Sequence, residues 1–500
     1  MKKALVIGAG FSGLSVATTL ASQGFDVTIL EKNNQAGGRA RQYEHNGFVF
    51  DMGPSWYWMP DVFDDYFRRF GKSVADYYNL IRLDPGYRVF FPGKDTVDVS
   101  ASMEAIYATF EHIEKGSAQK LKRFLDEAAY KYEVGMKDLV FKPGLSVTEF
   151  ADTRVLKGLL RLQLLKNIRS YIHREFADPR LRQLLEFPIL FLGALPQNTP
   201  ALYSLMNYAD LKLGTWYPMG GMHEIIKAMV TLAKENGVTI LTGKEVTHFE
   251  FNAKGKITAA VCDQETFYAD VVVASADYHH IDQNVLPADK RSYSPQYWDK
   301  RKMAPSALLY YVGVKGRVEG LQHHNLFFDR DFDNHADQIY ANPAWPNEPL
   351  FYLSAPSLTD PSVAPPDHEN LFFLIPVAPG LEDTPAVRDR YFEVVLQRLK
   401  DRTGIDLADR IVYKATYAHA DFVRDYHAFK GNAYGLANTL DQTAILKPRV
   451  RSKKISNLYY TGQLTSPGPG IPPSIISGQV VGDLIAASIT QKTPTHEAVV

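Results

Sequence analysis

Two hydrophobic rhythms alternate along the chain: short unbroken apolar blocks, and longer stretches with apolar residues three or four apart. Ala4 to Ile7 is a block and reads as a buried parallel strand. Leu14 to Ser22 has helical spacing, and Phe25 to Leu30 reads as a second strand. The rhythm returns after a turn at Trp216-Tyr-Pro-Met-Gly-Gly-Met222, with a helical pattern through Ile225, Ile226, Met229, Val230 and Leu232. Val238 to Leu241, Lys256 to Val261 and Phe267 to Ala274 follow as strands, the last running into Ser275-Ala-Asp277. Leu458 to Gln463 is strand-like again, and a final helix runs from Ser474 through Val481, Leu484 and Ile485.

Strands alternating with helices predict an α/β protein. Its Rossmann-like, nucleotide-type domain is assembled from discontinuous segments, 1–84, 216–280 and 416–500. Residues 85–150 and 281–415 mix strands such as Ala307 to Val314 and Asn370 to Val377 with connecting helices, and read as a mixed-sheet substrate domain. Residues 151–215 read as a mostly helical subdomain.

Chemistry enters at the first strand–helix link. Gly8, Gly10 and Gly13 supply a tight turn, close approach to a pyrophosphate and close helix–strand packing. The helix that follows points its first amides at phosphates, and Glu31 ends the second strand where a ribose hydroxyl would sit. This order predicts an adenine dinucleotide. A simple NAD enzyme would continue with another βαβ unit. This chain instead enters Gly37-Gly38-Arg39, a short strand at Phe48 to Phe50, and Asp51-Met-Gly53-Pro-Ser55. Adjacent glycines admit a bulky planar cofactor, and Arg39 offers a planar fork of donors.

Composition narrows the classes. Five hundred residues imply two or three domains, and 45% apolar with 22% charged residues fits a folded chain. A net charge of −1 gives no general attraction to nucleic acid. The single Cys262 excludes an internal disulfide framework, fits a reducing cytoplasm and reads as strand packing. The apolar run after Lys2 and Lys3 ends too soon for a signal peptide, and no block approaches the ~18 apolar residues of a membrane span. One local imbalance stands out. From Arg154 to Arg182 there are eight Lys or Arg against two acids, interleaved with Leu156, Leu159, Leu160, Leu162, Leu164, Leu165, Ile168 and Ile172. A basic amphipathic face reads as membrane-surface binding, and the alternative is a solvated helix packed on the core. The expected location is therefore cytoplasmic and peripherally membrane-associated.

No metal site is predicted: His279-His280 and His323-His324 read as strand neighbours, whose rings face opposite sides. Asp421 and Asp425 solvate a helix or pair with Arg424. Glu149 and Asp152 precede the basic segment, and no catalytic residue is assigned.

Further motifs are spread along the chain. They are Gly47-Phe-Val-Phe-Asp-Met-Gly-Pro-Ser-Trp56 with Met59-Pro60, Tyr217-Pro-Met-Gly-Gly221, His323-His-Asn325, Ala355-Pro-Ser-Leu-Thr-Asp-Pro-Ser362, Ala420-Asp421-Phe422 and Asn457-Leu-Tyr-Tyr-Thr-Gly462. Pro467-Gly-Pro-Gly-Ile-Pro472 is the most specific. With these the chain resembles the bacterial-type phytoene desaturases and their carotenoid-desaturase relatives, in the flavoprotein superfamily that includes amine oxidases and GDP-dissociation inhibitors. It departs at Gly462-Gln463-Leu464-Thr465-Ser466, where many members carry Gly-Ala-Gly-Thr-His.

The resemblance implies an FAD enzyme that inserts double bonds into a C40 polyene held in an apolar tunnel, with oxygen or a quinone left open as electron acceptor. It implies cofactor contacts from Gly8, Gly10, Phe11, Ser12, Gly13, Glu31, Lys32, Gly37, Gly38, Arg39, Gly53, Pro54, Ser55, Val246, Gly462, Gln463, Gly470, Ile471 and Pro472. The alternatives within reach are 3,4-desaturation of hydroxylated or monocyclic carotenoids, a flavin amine oxidase, and a prenyl carrier without turnover.

Overall fold

A computed structural model describes residues 1–146, 149, 163, 166–190, 193 and 195–490. Five apolar blocks form one all-parallel sheet: β1 (Lys3–Ile7), β2 (Asp26–Glu31), β3 (Thr239–Thr242), β4 (Val271–Ala274) and β5 (Leu458–Tyr460). Their order is β5-β4-β1-β2-β3, so the N-terminal strand lies at the centre. One face is covered by α1 (Phe11–Ser22), α2 (His223–Glu235) and the last helix, Ile471–Thr490, through Leu14, Leu20, Ile225, Met229, Ile475 and Val481. An antiparallel three-stranded sheet (His248–Phe251, Ile257–Cys262, Glu265–Tyr268) packs on the other face, and Cys262 is buried there.

Two boundaries differ from the sequence reading for physical reasons. The run Phe267 to Ala274 breaks at Asp270, whose carboxylate accepts from the Lys3 amide at 2.8 Å. The chain there leaves the three-stranded sheet and joins β4. The final helix begins at Ile471, not Ser474, because Pro472 and Pro473 fall in a first turn where amide donors have no intrahelical acceptor.

A seven-stranded mixed sheet stands beside the first. Its order is Ile411–Tyr417, Ser306–Lys315, His368–Val377, Phe351–Ser354, His324–Phe327, Tyr87–Phe90, Thr96–Val99. The strand Ile411–Tyr417 belongs to this sheet, so a division at residue 415 cuts through it. Alternation splits its apolar residues between two cores. Tyr310, Phe373 and Leu353 face the helix Pro385–Thr403 through Tyr391, Val395 and Leu399. The opposite face carries a row in direct register: Leu309 opposite Leu374, Leu374 opposite Tyr352, Tyr352 opposite Leu326, Leu326 opposite Val89. That face packs against the helical region through Ile168, Leu181 and Leu185.

The described part of the basic segment packs its apolar face into the core, while Lys166 and Arg174 stay exposed. In the helix Ile168–Glu175, Ile168 and Ile172 are 0% exposed, and Arg169 turns inward to Glu186 at 2.9 Å and Asp333 at 2.7 Å. Arg169 therefore does not present its charge to a membrane. Asp152, Arg154, Leu156, Leu159, Leu160, Arg161, Leu162, Leu164 and Leu165 lie outside the described residues. Among the described residues no helix is long and apolar enough to cross a membrane.

Candidate functional site

The C-terminal ends of β1, β2 and β4 open into a cavity that encloses, with its mouth, about 1630 Å³ of empty space. Ligands of open parallel sheets sit at this edge. The three glycines of the first loop do three different things. Gly8 turns the chain at φ +100°, and its amide donates to Leu30 O at 2.8 Å. A Cβ on Gly13 would fall 2.0 Å from Gly8 O, so helix and loop touch there. A Cβ on Gly10 would meet nothing within 4 Å, because it points into the cavity. No side chain caps α1 and no acid lies in its first turn, which leaves its amides free for an anion.

Glu31, 4% exposed, forms the floor beside that loop. One carboxylate oxygen accepts from Ala9 N at 2.7 Å and the other from Asn33 N at 2.9 Å. Gly37-Gly38-Arg39 backs onto the same loop: Gly37 N donates to Ala9 O at 2.8 Å, and a Cβ on Gly38 would lie 3.4 Å from Gly10 Cα. Arg39 donates to Asn432 O at 3.2 Å and lies 5.1 Å from the Tyr426 ring. Burial lowers its pKa, opposed by Asp277, and its Nε is buried with no partner among the described residues. Burial in turn raises Asp277 to about 6, although the His280 amide donates to it.

All the cofactor residues expected from the sequence line this cavity except Gly13, Ser55 and Pro472. Gly13 supports the loop from behind. Ser55 borders a second, small cavity with Asp51, Tyr217 and His323. Pro472 sits in the first turn of the final helix. Gly53 has a packing reason as well, since a Cβ there would lie 2.6 Å from Arg39 O. The Pro/Gly loop is likewise built around a buried cation. Lys447 Nζ donates to Asn438 Oδ1 at 2.6 Å and Pro467 O at 2.8 Å, and a Cβ on Gly468 would lie 2.3 Å from it. Burial pulls Lys447 down to about 7.

The chemistry of the wall changes from one end to the other. Near Glu31 it is polar, with Lys32, Lys244, Glu245 and Asp425. Elsewhere Ala307, Leu309, Leu374, Phe422 and Ala433 contribute an apolar part of the lining, together with Gly470 and Ile471. Leu309 and Leu374 start the row that crosses the seven-stranded sheet. A long dinucleotide with a planar head fits such a cavity: open glycine backbone, free helix amides, a fixed carboxylate and an unpartnered buried Arg39 Nε.

Sequence reasoning missed the contribution of 425–427 and of Ser275 to His280. The signal for the latter was the end of the Val-Val-Val-Ala block, since ligands gather at strand C-termini. His279-His280 belongs to a helical turn, Tyr278–His280, not a strand, and its rings stack on Phe429 and His427. Among the described residues no group of His, Cys, Asp and Glu could hold a metal. Glu149 accepts from the Gly144 and Leu145 amides at 2.9 and 3.1 Å, so it ties a loop together.

Comparison with known proteins agrees with this arrangement. Residues 11–485 match the family of flavin containing amine oxidoreductases. A carotenoid 3,4-desaturase of Haloarcula japonica is 44% identical over 485 residues, covering 97% of this chain and 98% of the relative. A zeta-carotene-forming phytoene desaturase of Myxococcus xanthus is 30% identical over 486 residues, covering 96% and 93%. Among solved structures, cyclohexylamine oxidase from Brevibacterium oxydans superposes with a TM-score of 0.58 at 14% identity, over 98% of this chain and 99% of that one.

Proposed function

The chain belongs to the family of flavin containing amine oxidoreductases, and we propose that it is an FAD-dependent carotenoid desaturase. The observation that carries this reading is the apolar part of the cavity lining, to which Ala307, Leu309, Leu374, Phe422 and Ala433 bring only hydrocarbon side chains. An amine substrate would need a polar partner there. A hydrocarbon needs only the removal of water and a fixed pose, and Leu309 and Leu374 offer it an apolar wall backed by the packed core that Tyr352, Leu326 and Val89 continue.

When bound, the flavin supplies the acceptor for a hydride from carbon. The residues of this chain would do the rest. The α1 amides take the pyrophosphate and Glu31 a ribose hydroxyl, while Gly470 and Ile471, at the start of the final helix, border the ring. Segments 1–84, 216–280 and 418–500 would hold FAD. Segments 85–150 and 281–417 would hold the polyene, and 151–215 would cover it. New double bonds are placed in a C40 chain, either in phytoene or in a later intermediate. The 44% identity to a carotenoid 3,4-desaturase favours the 3,4 position as the second reading.

Substrates of this kind dissolve in lipid, and we place the protein on a membrane surface. What supports this is no longer Arg169. It is a set of exposed apolar side chains, Phe141, Ile445 and Leu446, next to a junction where Ser466 Oγ donates to Ala444 O at 3.3 Å. The loop from Ser466 leads directly to Gly470. The electron acceptor, oxygen or a quinone, stays open.

The test is to load the purified protein with FAD and supply phytoene, ζ-carotene and hydroxylated carotenoids in liposomes. Each added conjugated double bond shifts product absorption to the red, and chromatography locates it. A yellow, FAD-replete protein that turns over none of these but oxidises amines would overturn the reading.

A further inference from the structure

The helix His419–Tyr426, here α3, carries the Ala420-Asp421-Phe422 motif that the cofactor reading leaves without a role. Its two ends are held differently. The N-terminal end is fixed to the seven-stranded side: Asp421 accepts from the Ala418 amide at 2.9 Å and pairs with Arg388 at 2.8 Å. The last turn, Arg424 to His427, instead reaches over the polar end of the cavity, where Asp425, Tyr426 and His427 form part of its lining.

That turn crosses from the seven-stranded side, where Tyr417 donates to Asp425 at 2.9 Å, to the neighbouring ends of β2 and β3. There Lys32 Nζ donates to Arg424 O at 2.6 Å and lies 3.0 Å from His427 Nε2, Asn33 Nδ2 donates to Asp425 O at 3.2 Å, and Arg41 pairs with Asp425 at 2.7 Å. The Tyr426 ring has the guanidinium groups of Arg39 and Arg41 each 5.1 Å from its centre. At the same edge His427 Nε2 meets Glu245 Oε1 at 2.6 Å, an oxygen that is also 3.8 Å from Lys32 Nζ, and the His427 ring stacks on His280 with centroids 3.8 Å apart. These are polar and ring contacts at a partly exposed rim, the kind that part and re-form in water without disturbing a core. At the end of the turn His427, and just beyond it Lys430 and Gly431, have φ of 51°, 56° and 61°, so the chain reverses direction immediately after crossing the cavity.

We propose that Arg424 to His427 is a latch over the adenosine end of the cavity, which opens to admit FAD and then closes on it. This rests on the dinucleotide reading above. A dinucleotide seated beside Glu31 under this turn cannot leave along that edge until the contacts of Lys32, Arg41 and Glu245 with the turn are released.

A latch and a simple binding contact differ kinetically. Loosening a latch speeds entry and exit together, whereas loss of a contact speeds exit alone. Stopped-flow flavin fluorescence on apoprotein and holoprotein gives both rates. In Tyr426→Leu and Asp425→Asn we expect association to rise about tenfold and dissociation at least as much, since both side chains also line the cavity, on the scale of one lost charged contact. The control is Asp389→Asn, which removes only an exposed pair with Lys414. A rise in dissociation alone, or no change in either rate, overturns the latch.

Because those variants could fold poorly, a second experiment leaves the turn in place. Glu245→Cys with His427→Cys puts two thiols on side chains 43% and 31% exposed, while the native Cys262 is buried. A short bis-maleimide should block FAD uptake when applied to apoprotein and trap FAD when applied to holoprotein. Uptake at an unchanged rate by cross-linked apoprotein overturns the latch but not the dinucleotide reading. A wild-type apoprotein that takes up no FAD overturns both.

Discussion

Gly10 and Gly13 separate ligand binding from folding within one loop. Gly10→Ala places a methyl group in open cavity, so we expect unchanged thermal stability of the apoprotein and at least tenfold weaker FAD binding, as steric exclusion from a close backbone approach requires. Gly13→Ala drives a methyl group to 2.0 Å from Gly8 O, and over-packing of that kind costs about 1–3 kcal/mol. Melting curves with and without FAD check both. Glu31→Ala should weaken FAD binding by about 1–3 kcal/mol, since it removes a charged acceptor and also releases the Ala9 and Asn33 amides.

Asp210 makes a pH prediction. Burial raises its pKa to about 7, and Tyr87 donates to it at 2.8 Å. A carboxyl raised in the folded state holds its proton where the unfolded chain has lost it. Stability therefore falls as pH rises from about 4 through about 7. Asp210→Asn keeps an acceptor for Tyr87 and removes the titration, so its melting temperature should fall less over that interval. Parallel wild-type and variant profiles would contradict this.

At the scale of elements, legibility followed how local each cause is. The strand–glycine–helix–strand–acid order could be read because every constraint, from Gly8 to Glu31, lies within thirty-one residues. The split of Phe267 to Ala274 could not, because it is imposed by Asp270 meeting Lys3 at the far end of the sequence. Within the basic segment the role of Arg169 was hidden for a similar reason: it counts as surface charge until Glu186, 3% exposed, is placed beside it. Arg169→Gln should therefore act on folding, lowering stability by up to about 3 kcal/mol as the buried carboxylate loses its main partner. Its retention on anionic vesicles should match that of the wild type.

For the whole molecule, pairing across long separations decides what the sequence concealed. The seven-stranded sheet draws strands from residues 87–99 and 306–417, and nothing local announces which strand lies beside which. Most of the cavity lining expected to hold the cofactor was accessible from motifs. The wall contributed by 425–427 was not, since it reaches the cavity only through the tertiary placement of α3. Membrane attachment, if it runs through Phe141, Ile445 and Leu446, should be driven mainly by apolar burial, up to about 2 kcal/mol for each side chain inserted. Phe141→Ser with Leu446→Ser should then halve vesicle retention or more, leave FAD content intact, and change little with salt. Equal sedimentation of variant and parent with liposomes would place the contact elsewhere.

The row from Leu309 to Val89 takes one residue from each of five neighbouring strands, so it spans about 19 Å at the usual interstrand spacing. Such a row is a ruler laid at right angles to the chain. Only its first two graduations, Leu309 and Leu374, line the cavity; Tyr352, Leu326 and Val89 are at most 6% exposed in the core beneath the helical region. A bulky residue at Leu309 or Leu374 would shorten the cavity, whereas the same residue at Leu326 or Val89 would over-pack the core. One straight line across the sheet thus runs from binding surface to foundation, and a substitution changes its meaning with the strand that carries it.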